Sequence, residues 1–299
     1  MSPADLLAVV DLGSNSFRLE VARLEENRLL SLLYRKETVR LAGGFAPDGT
    51  LTPEMQERAL SALTRFRECL AGVAPENILA VGTHAMRRAS QNAAFLCAAE
   101  RALGVPIEII SGEREASFAF SGAVRSLPYS AEERLVVDIG GGSTEMASGR
   151  GTTIGRSASY PVGCVSASIG FFPDGRITPD RQKAALEHAM TVLGDAAKTF
   201  PEASSSEAYM TAGTFRAVVE TCRNLGWTKE EVRLEHIEEL IARLLRSKGR
   251  FAQAFPGMRT DRYEVIAGGL TVLQAVYRTR GLREARLSQG GVRVGLLYE

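Results

Sequence analysis

The chain has 299 residues, of which 45% are hydrophobic and 24% charged, and its formal net charge is +1. This length predicts two domains, and no apolar run reaches the roughly 20 residues that cross a bilayer, which argues against a membrane protein. A near-neutral charge excludes general attraction to a nucleic acid polymer, so any anion site must be local. The apolar stretch before Asp11 is too short for a secretory signal, and we therefore expect a cytoplasmic protein.

The first half alternates strands and helices. Apolar runs predict strands at residues 6–10, 17–24, 29–39, 78–81 and 107–110, with turns at 13–15 and 25–27 between the first three. Helices are predicted after the N-cap Thr52 and over residues 92–103. This order of elements is typical of a layered α/β domain.

The second half restarts the same pattern. Strands are predicted at 135–139, from Ser143 onward, at 208–211 and at 285–288, and helices at 179–200, 215–225, 236–245 and 264–280. A polar stretch at 126–133 is the candidate linker. We therefore predict domains at 1–125 and 126–299, with the last helix packing back on the first domain.

A short internal repeat connects the two halves. VVDLGSNS (residues 9–16) and VVDIGGGS (residues 136–143) share a strand, an aspartate, a glycine turn and a hydroxyl at matching positions. Backbone N–H groups in such turns can cradle phosphate oxygens. If the halves face each other, both turns close on one cleft. The candidate phosphate-binding residues are Gly13, Ser14, Asn15, Ser16, Gly140, Gly141, Gly142 and Ser143.

Acidic residues accompany both turns. Asp11 and Asp138 end the two repeated strands and can hold a divalent ion that phosphates also bind. Glu145 lies two residues after Ser143, on the same side of an extended strand, so it can share that ion with Asp138. The alternative for Glu145 is an exposed strand position.

Further candidates lie where strands run into helices. Glu113 and Glu115 begin a helix, where each is either a partner of the helix dipole or a base for water, and local spacing does not separate them. Arg87 follows the strand at 78–81 and can bind phosphate bidentately. Gly213 and Thr214 form a weaker anion site at a helix start. The alternative for these last positions is a solvated helix terminus.

Seven segments in order resemble the motifs of the exopolyphosphatase / guanosine pentaphosphate phosphohydrolase family: residues 11–17, 40–52, 83–92, 111–116, 138–145, 160–163 and 290–293. The resemblance spans almost the whole chain. It implies two ribonuclease H-like domains around a central cleft, as in the actin and sugar-kinase superfamily.

The family resemblance also implies roles for individual residues. The family's catalytic glutamate directly precedes an alanine, which points to Glu115 rather than Glu113. Asp138 and Glu145 are then magnesium ligands, the two glycine turns are phosphate loops, and Arg87 is a phosphate contact. The implied reaction is Mg²⁺-dependent hydrolysis of the terminal phosphoanhydride of inorganic polyphosphate by water that Glu115 activates.

Three alternatives remain open at the level of sequence. The substrate can instead be guanosine pentaphosphate, the protein can be a kinase or ATPase of the same superfamily, or it can be a sensor that binds without turnover. Long family members carry a further helical C-terminal region, whereas this sequence ends at Glu299, so we expect an extended substrate channel to come from elsewhere, such as a homodimer. Gln289 and Val294 stand where the family often has acidic residues.

Overall fold

The computed structural model describes residues 6–25, 28–201, 207–247 and 250–299. Two β-sheets with helices packed on their faces make up this part of the chain. The predicted α/β class is therefore confirmed. Within the same residues, no helix combines the length and the apolar character needed to cross a bilayer.

The first sheet has the strand order β3-β2-β1-β4-β5. Its strands are β1 (Leu6–Leu12), β2 (Phe17–Glu25), β3 (Arg28–Glu37), β4 (Ile78–Gly82) and β5 (Glu108–Ile109). β2 pairs antiparallel with β1 and β3, whereas β4 is parallel to β1 and β5. Helices of this half are α1 (Pro53–Cys69), α2 (His84–Ala89) and α3 (Ala93–Leu103). Most of the turn predicted at 25–27 lies outside the described residues.

The second sheet repeats this order and adds one edge strand. Its strands are β6 (Glu133–Ile139), β7 (Thr144–Arg150), β8 (Thr153–Tyr160), β9 (Glu207–Thr211), β10 (Glu231–Arg233) and β11 (Glu284–Leu287). The order β8-β7-β6-β9-β11 matches that of the first sheet, and β10 pairs with the outer edge of β11. The sequence repeat therefore heads two sheets of the same topology.

The remaining helices connect or cover the second sheet. They are α4 (Gly112–Arg125), α5 (Cys164–Phe171), α6 (Pro179–Val192), α7 (Ala196–Thr199), α8 (Ala212–Asn224), α9 (Leu234–Ser247), α10 (Phe251–Ala254), α11 (Tyr263–Arg280) and α12 (Val292–Leu297).

The sequence predictions differ from the structure where the sequence pattern for a helix or strand is short or irregular. The single helix expected at 179–200 is wrong, because the chain turns at 193–195, around Gly194, and separates α6 from α7. β8 was not predicted, since its half-exposed, polar residues lack a clear apolar alternation. The short elements α2, α5, β10 and α12 were also missed.

Helix α4 lies between the two sheets. Phe118 packs on Val9 of β1, while Phe120 packs on Val136 of β6. Leu296 of α12, a helix beyond the last predicted one, joins the cluster of Phe118 and Val9 on the first sheet. The boundary expected at 125/126 falls at the end of α4, which contacts both sheets, and it stays a prediction.

Bare glycine backbone allows α4 and the C-terminal segment to approach closely. A Cβ on Gly122 of α4 would overlap the carbonyl oxygen of Gly291, and a Cβ on Gly295 would overlap that of Phe118. Because both obstacles are backbone atoms, no side chain can move aside. These contacts fix α4, and hence its first turn, relative to both sheets.

We expect Gly122→Ala to lower the free energy of unfolding by about 1 to 3 kcal/mol, because the added methyl overpacks this contact. Denaturant titration measures the change. The control is Gly170→Ala in α5, where no heavy atom lies within 4 Å of the added Cβ. That change should be neutral or stabilising by up to about 1 kcal/mol, since alanine favours the helix. Equal effects of both changes would contradict the packing explanation.

Candidate active site

The two glycine turns meet between the sheets. Residues 13–16 connect β1 to β2, and residues 140–143 connect β6 to β7. A Cβ on Gly141 would lie 2.9 Å from the backbone nitrogen of Asn15, and one on Gly142 would lie 3.0 Å from the Ser14 Oγ. Only glycine leaves room for this approach. The structure thus brings together the two turns that the sequence repeat identified.

Neighbouring segments hold the first turn in place. The backbone N–H of Ala85, in α2, donates to the Ser14 Oγ at 3.2 Å. The N–H groups of Arg40 and Ala42 donate to the carbonyl oxygens of Asn15 and Ser14 at 2.8 and 3.0 Å. These hydrogen bonds hold the backbone of the turn in one conformation.

A cavity of about 430 Å³ opens beside the turns, between the two halves. Most of the predicted site residues line it: Asp11, Gly13, Ser14, Asn15, Ser16, Glu115, Asp138, Gly140, Gly141, Ser143 and Gly213. Four others are not among its lining residues: Arg87, Gly142, Glu145 and Thr214. Of these four, Arg87 contacts Glu115 directly, and Glu145 lies beside Asp138.

Corresponding positions of the two sheets carry different charges. Asp138 and Glu145 are directly opposite in the β6–β7 register, which puts their Cβ atoms about 5 Å apart. The equivalent pair in the first sheet is Asp11 and Arg18, whose Oδ2 and Nη1 are 3.3 Å apart. Asp11 is thus neutralised, whereas no described Lys or Arg lies within ion-pair distance of Asp138 or Glu145.

Burial and mutual repulsion make these carboxyl groups hard to ionise. Burial raises the pKa of Asp138 to about 6, against the opposing charge of Arg18. Burial and the charge of Asp138 raise the pKa of Glu145 to about 7, although a hydrogen bond from the Ser159 Oγ at 2.8 Å favours its ionised form. A bound cation would favour ionisation of both groups.

Glu115 is separated from Glu113 by the helix geometry. Glu115 is buried and lines the cavity, whereas Glu113 is exposed on α4. The Arg87 Nη1 donates to the Glu115 Oε2 at 3.1 Å and to the Ile110 carbonyl at 2.8 Å. Burial, and then the charge of Glu145, raise the pKa of Glu115 well above its ordinary value, with Arg87 opposing this shift. Only Glu115 of the two glutamates reaches the cavity.

The donor set fits a hard divalent ion. No three His, Cys, Asp or Glu side chains among the described residues form a ready-made coordination cluster. Asp138 and Glu145 nevertheless form a buried acidic pair, and no Lys or Arg in the described part of the chain lies within ion-pair distance of either. Mg²⁺ is usually bound by one or two carboxylates together with waters and substrate phosphates. The residues present therefore fit Mg²⁺ better than a fully protein-ligated metal.

Six basic side chains, which sequence reasoning missed, line the same cavity, and we call them the basic wall. It consists of Arg18, Lys36, Arg216, Arg259, Arg262 and Arg293. The strand register holds a signal for part of it, because Asp11, Arg18 and Lys36 are successive partners across β1, β2 and β3. The arginine-rich composition hid this signal.

The helix start at α8 contributes one of its two predicted residues. Gly213 lines the cavity, and a Cβ there would overlap the guanidinium of Arg262. Thr214 is buried and lies against Gly269 of α11. Its hydroxyl hydrogen-bonds to Cys164.

Fold and site define a two-lobed α/β protein whose central cavity is lined by two glycine turns, buried carboxylates and basic side chains. Residues 20–299 match the model of the Ppx/GppA phosphatase family. The chain belongs to this family of hydrolases.

The relatives carry two different activity names. The chain is 33% identical to a Haemophilus influenzae protein named "Putative exopolyphosphatase", over 98% of this chain and 90% of that one. It is 34% identical to an Aeromonas hydrophila guanosine-5'-triphosphate,3'-diphosphate pyrophosphatase, of which it spans 60%. A solved exopolyphosphatase structure from Cytophaga hutchinsonii superposes with a TM-score of 0.86 at 24% identity, over 98% of this chain and 96% of that one.

We expect Glu145→Gln to flatten the fall of stability with rising pH in metal-free protein. The raised pKa of Glu145 means that the folded state keeps a proton that the unfolded state has released. The contribution of Glu145 to the free energy of unfolding is therefore lost as pH rises from 4.5 to about 7. Relative to that of wild type, the free energy of unfolding of the variant should rise by about 1 to 3 kcal/mol between low and neutral pH.

Denaturant titrations in the presence of a chelator measure this difference. The control is Glu57→Gln on the exposed face of α1, which should follow the wild-type profile. Parallel profiles for wild type and Glu145→Gln would show that Glu145 ionises freely in the fold.

Proposed function

We propose that the protein is an exopolyphosphatase, which hydrolyses the terminal phosphoanhydride of inorganic polyphosphate. One observation carries this proposal: a buried carboxylate, two glycine turns and the basic wall line the same cavity. A terminal phosphate fits the turns, while the following phosphates lie along the cations. The substrate is thus recognised as an extended polyanion.

The chain's own residues account for proton transfer and positioning. Glu115 accepts a proton from water, the water oxygen bonds to the terminal phosphorus, and the bond to the bridging oxygen breaks. The shortened chain leaves with the electron pair of that bond. Arg87 acts as a positioning residue, because its guanidinium ties the Glu115 carboxylate to the Ile110 carbonyl. N–H groups of the turns stabilise the charge that develops on the phosphoryl oxygens.

Mg²⁺ would be held by Asp138 and Glu145. When bound, it would supply a positive charge that offsets the phosphate oxygens. Asp11 was predicted as a further ligand, but in the structure its carboxylate is paired with Arg18. We therefore assign Asp11 to orienting Arg18 on the basic wall.

The cavity lining favours polyphosphate over a guanosine compound. Tyr34 is the one aromatic residue among the described residues that line the cavity, and the Arg293 guanidinium lies 4.6 Å from the centroid of its ring. That face of the ring is thus not free to stack on a base. Guanosine pentaphosphate remains the second candidate, because a relative of 34% identity is named for that activity.

We expect Glu115→Gln to reduce turnover by about 10²- to 10⁴-fold, because the base for water is lost. Substrate binding should persist, since the cations and turns are unchanged. Phosphate release and calorimetric titration measure the two effects. The control is Glu113→Gln, two residues earlier on the exposed side of α4, which should retain activity. Robust activity of Glu115→Gln would exclude Glu115 as the base.

Phosphate release from a substrate panel tests the function itself. The purified protein with Mg²⁺ is offered long-chain polyphosphate, tripolyphosphate, guanosine pentaphosphate and ATP in parallel. We expect the highest kcat/KM with long-chain polyphosphate. Preference for the guanosine compound would assign the second activity, and binding without release from any compound would indicate a sensor.

A further inference from the structure

One carboxylate outside the catalytic group holds two cations of the basic wall. The Lys36 Nζ lies 2.8 Å from the Asp261 Oδ2, and the Arg259 Nε lies 3.1 Å from the Asp261 Oδ1. Lys36 belongs to β3 of the first half, whereas Asp261 and Arg259 precede α11 of the second half. Asp261 therefore bridges the two halves through cations that line the cavity.

This cluster lies at a distance from the carboxylates of the active site. Asp11, Arg18 and Lys36 are register neighbours on three adjacent strands, so Lys36 lies two strand spacings, or about 10 Å, from Asp11. Because this spacing separates the backbones of Asp11 and Lys36, we expect a phosphate chain bound at the glycine turns to reach Lys36 and Arg259 only if it extends beyond those turns. The side chains of Lys36 and Asp261 are 17% and 24% exposed, so the pair borders solvent and can exchange partners.

We propose that Asp261 is a specificity-determining residue that competes with the substrate: its carboxylate occupies Lys36 and Arg259 until an extended polyanion displaces it. This inference rests on the proposed function. A short anion gains nothing from the two cations, because it does not reach them. A long chain presents several charges at once and exchanges places with the single carboxylate. Asp261 thereby restricts use of this part of the wall to long substrates.

Charge balance at the cluster supports this competition. Asp261 is the single carboxylate bonded to Lys36 and Arg259 among the described residues, and both of its oxygens are engaged. Without Asp261, Lys36 and Arg259 would have no carboxylate partner among the described residues. A displaced Asp261 carboxylate returns to water at the rim of the cavity. Substrate and Asp261 thus use the same two cations in turn.

A second ion pair across the halves allows a rival explanation to be tested. The Arg40 Nη1 lies 2.6 Å from the Glu264 Oε2, and neither residue lines the cavity. If Asp261 acted only by holding the halves together, loss of the Arg40–Glu264 pair would have a similar effect. If Asp261 instead competes with the substrate for Lys36 and Arg259, loss of the Arg40–Glu264 pair should have no such effect.

The experiment compares steady-state kinetics of Asp261→Asn with wild type. Competition predicts that KM for long-chain polyphosphate falls by about 3- to 10-fold, as expected for freeing paired charges at a binding site, while kcat stays within about 2-fold. KM for tripolyphosphate should change by less than about 2-fold, because the shorter chain does not engage both cations. Glu264→Gln should match wild type, and so should Asp174→Asn, which removes an exposed partner of Arg181 outside the cavity.

Calorimetric titration with long-chain polyphosphate gives a readout independent of turnover. In a Glu115→Gln background, adding Asp261→Asn should tighten binding by the same factor. If wild type is active and Asp261→Asn leaves KM and affinity for long-chain polyphosphate unchanged, the inference is wrong. It is also wrong if Glu264→Gln changes them as much as Asp261→Asn does. Absence of phosphate release from every substrate by wild type would instead count against the proposed function, and the titration would still decide the role of Asp261.

Discussion

The close approach of two glycine turns organises the whole molecule. Gly141 and Gly142 leave room for Ser14 and Asn15, so two loops from different sheets share one space without side chains between them. Any larger residue at the contact would push the sheets apart. The cavity, the carboxylates beneath the turns and the basic wall all take their positions from this contact.

The internal repeat heads two sheets of similar topology, but the side chains at the corresponding strand ends differ in charge. Asp11 faces Arg18 across β1 and β2, whereas Asp138 faces Glu145 across β6 and β7. One acid–base pair is neutral as a unit, and one acid–acid pair demands a cation. The same backbone register thus puts an acid–base pair beside the first turn and a pair of acids beside the second.

The sequence predicted most features that depend on a short stretch of residues or on the internal repeat. Apolar periodicity identified the main strands, and the repeat identified both turns and their aspartates. Local spacing could not separate Glu113 from Glu115, because the difference lies in which side of α4 faces the cavity. The basic wall escaped prediction since Lys36 and Arg262 meet only through the fold. Arg87 was expected to bind phosphate, but its guanidinium contacts Glu115 and does not line the cavity.

Helix α12 has a consequence for how the chain folds. Leu296 and Leu297 complete the apolar cluster that contains Val9 and Val81 of the first sheet. Phe118 of α4 covers part of that face, but its burial is complete only when residues nearly 300 positions along have been made. Such distant contacts slow folding and couple the halves into one cooperative unit. During synthesis, part of that face stays exposed until residues 292–297 have been made.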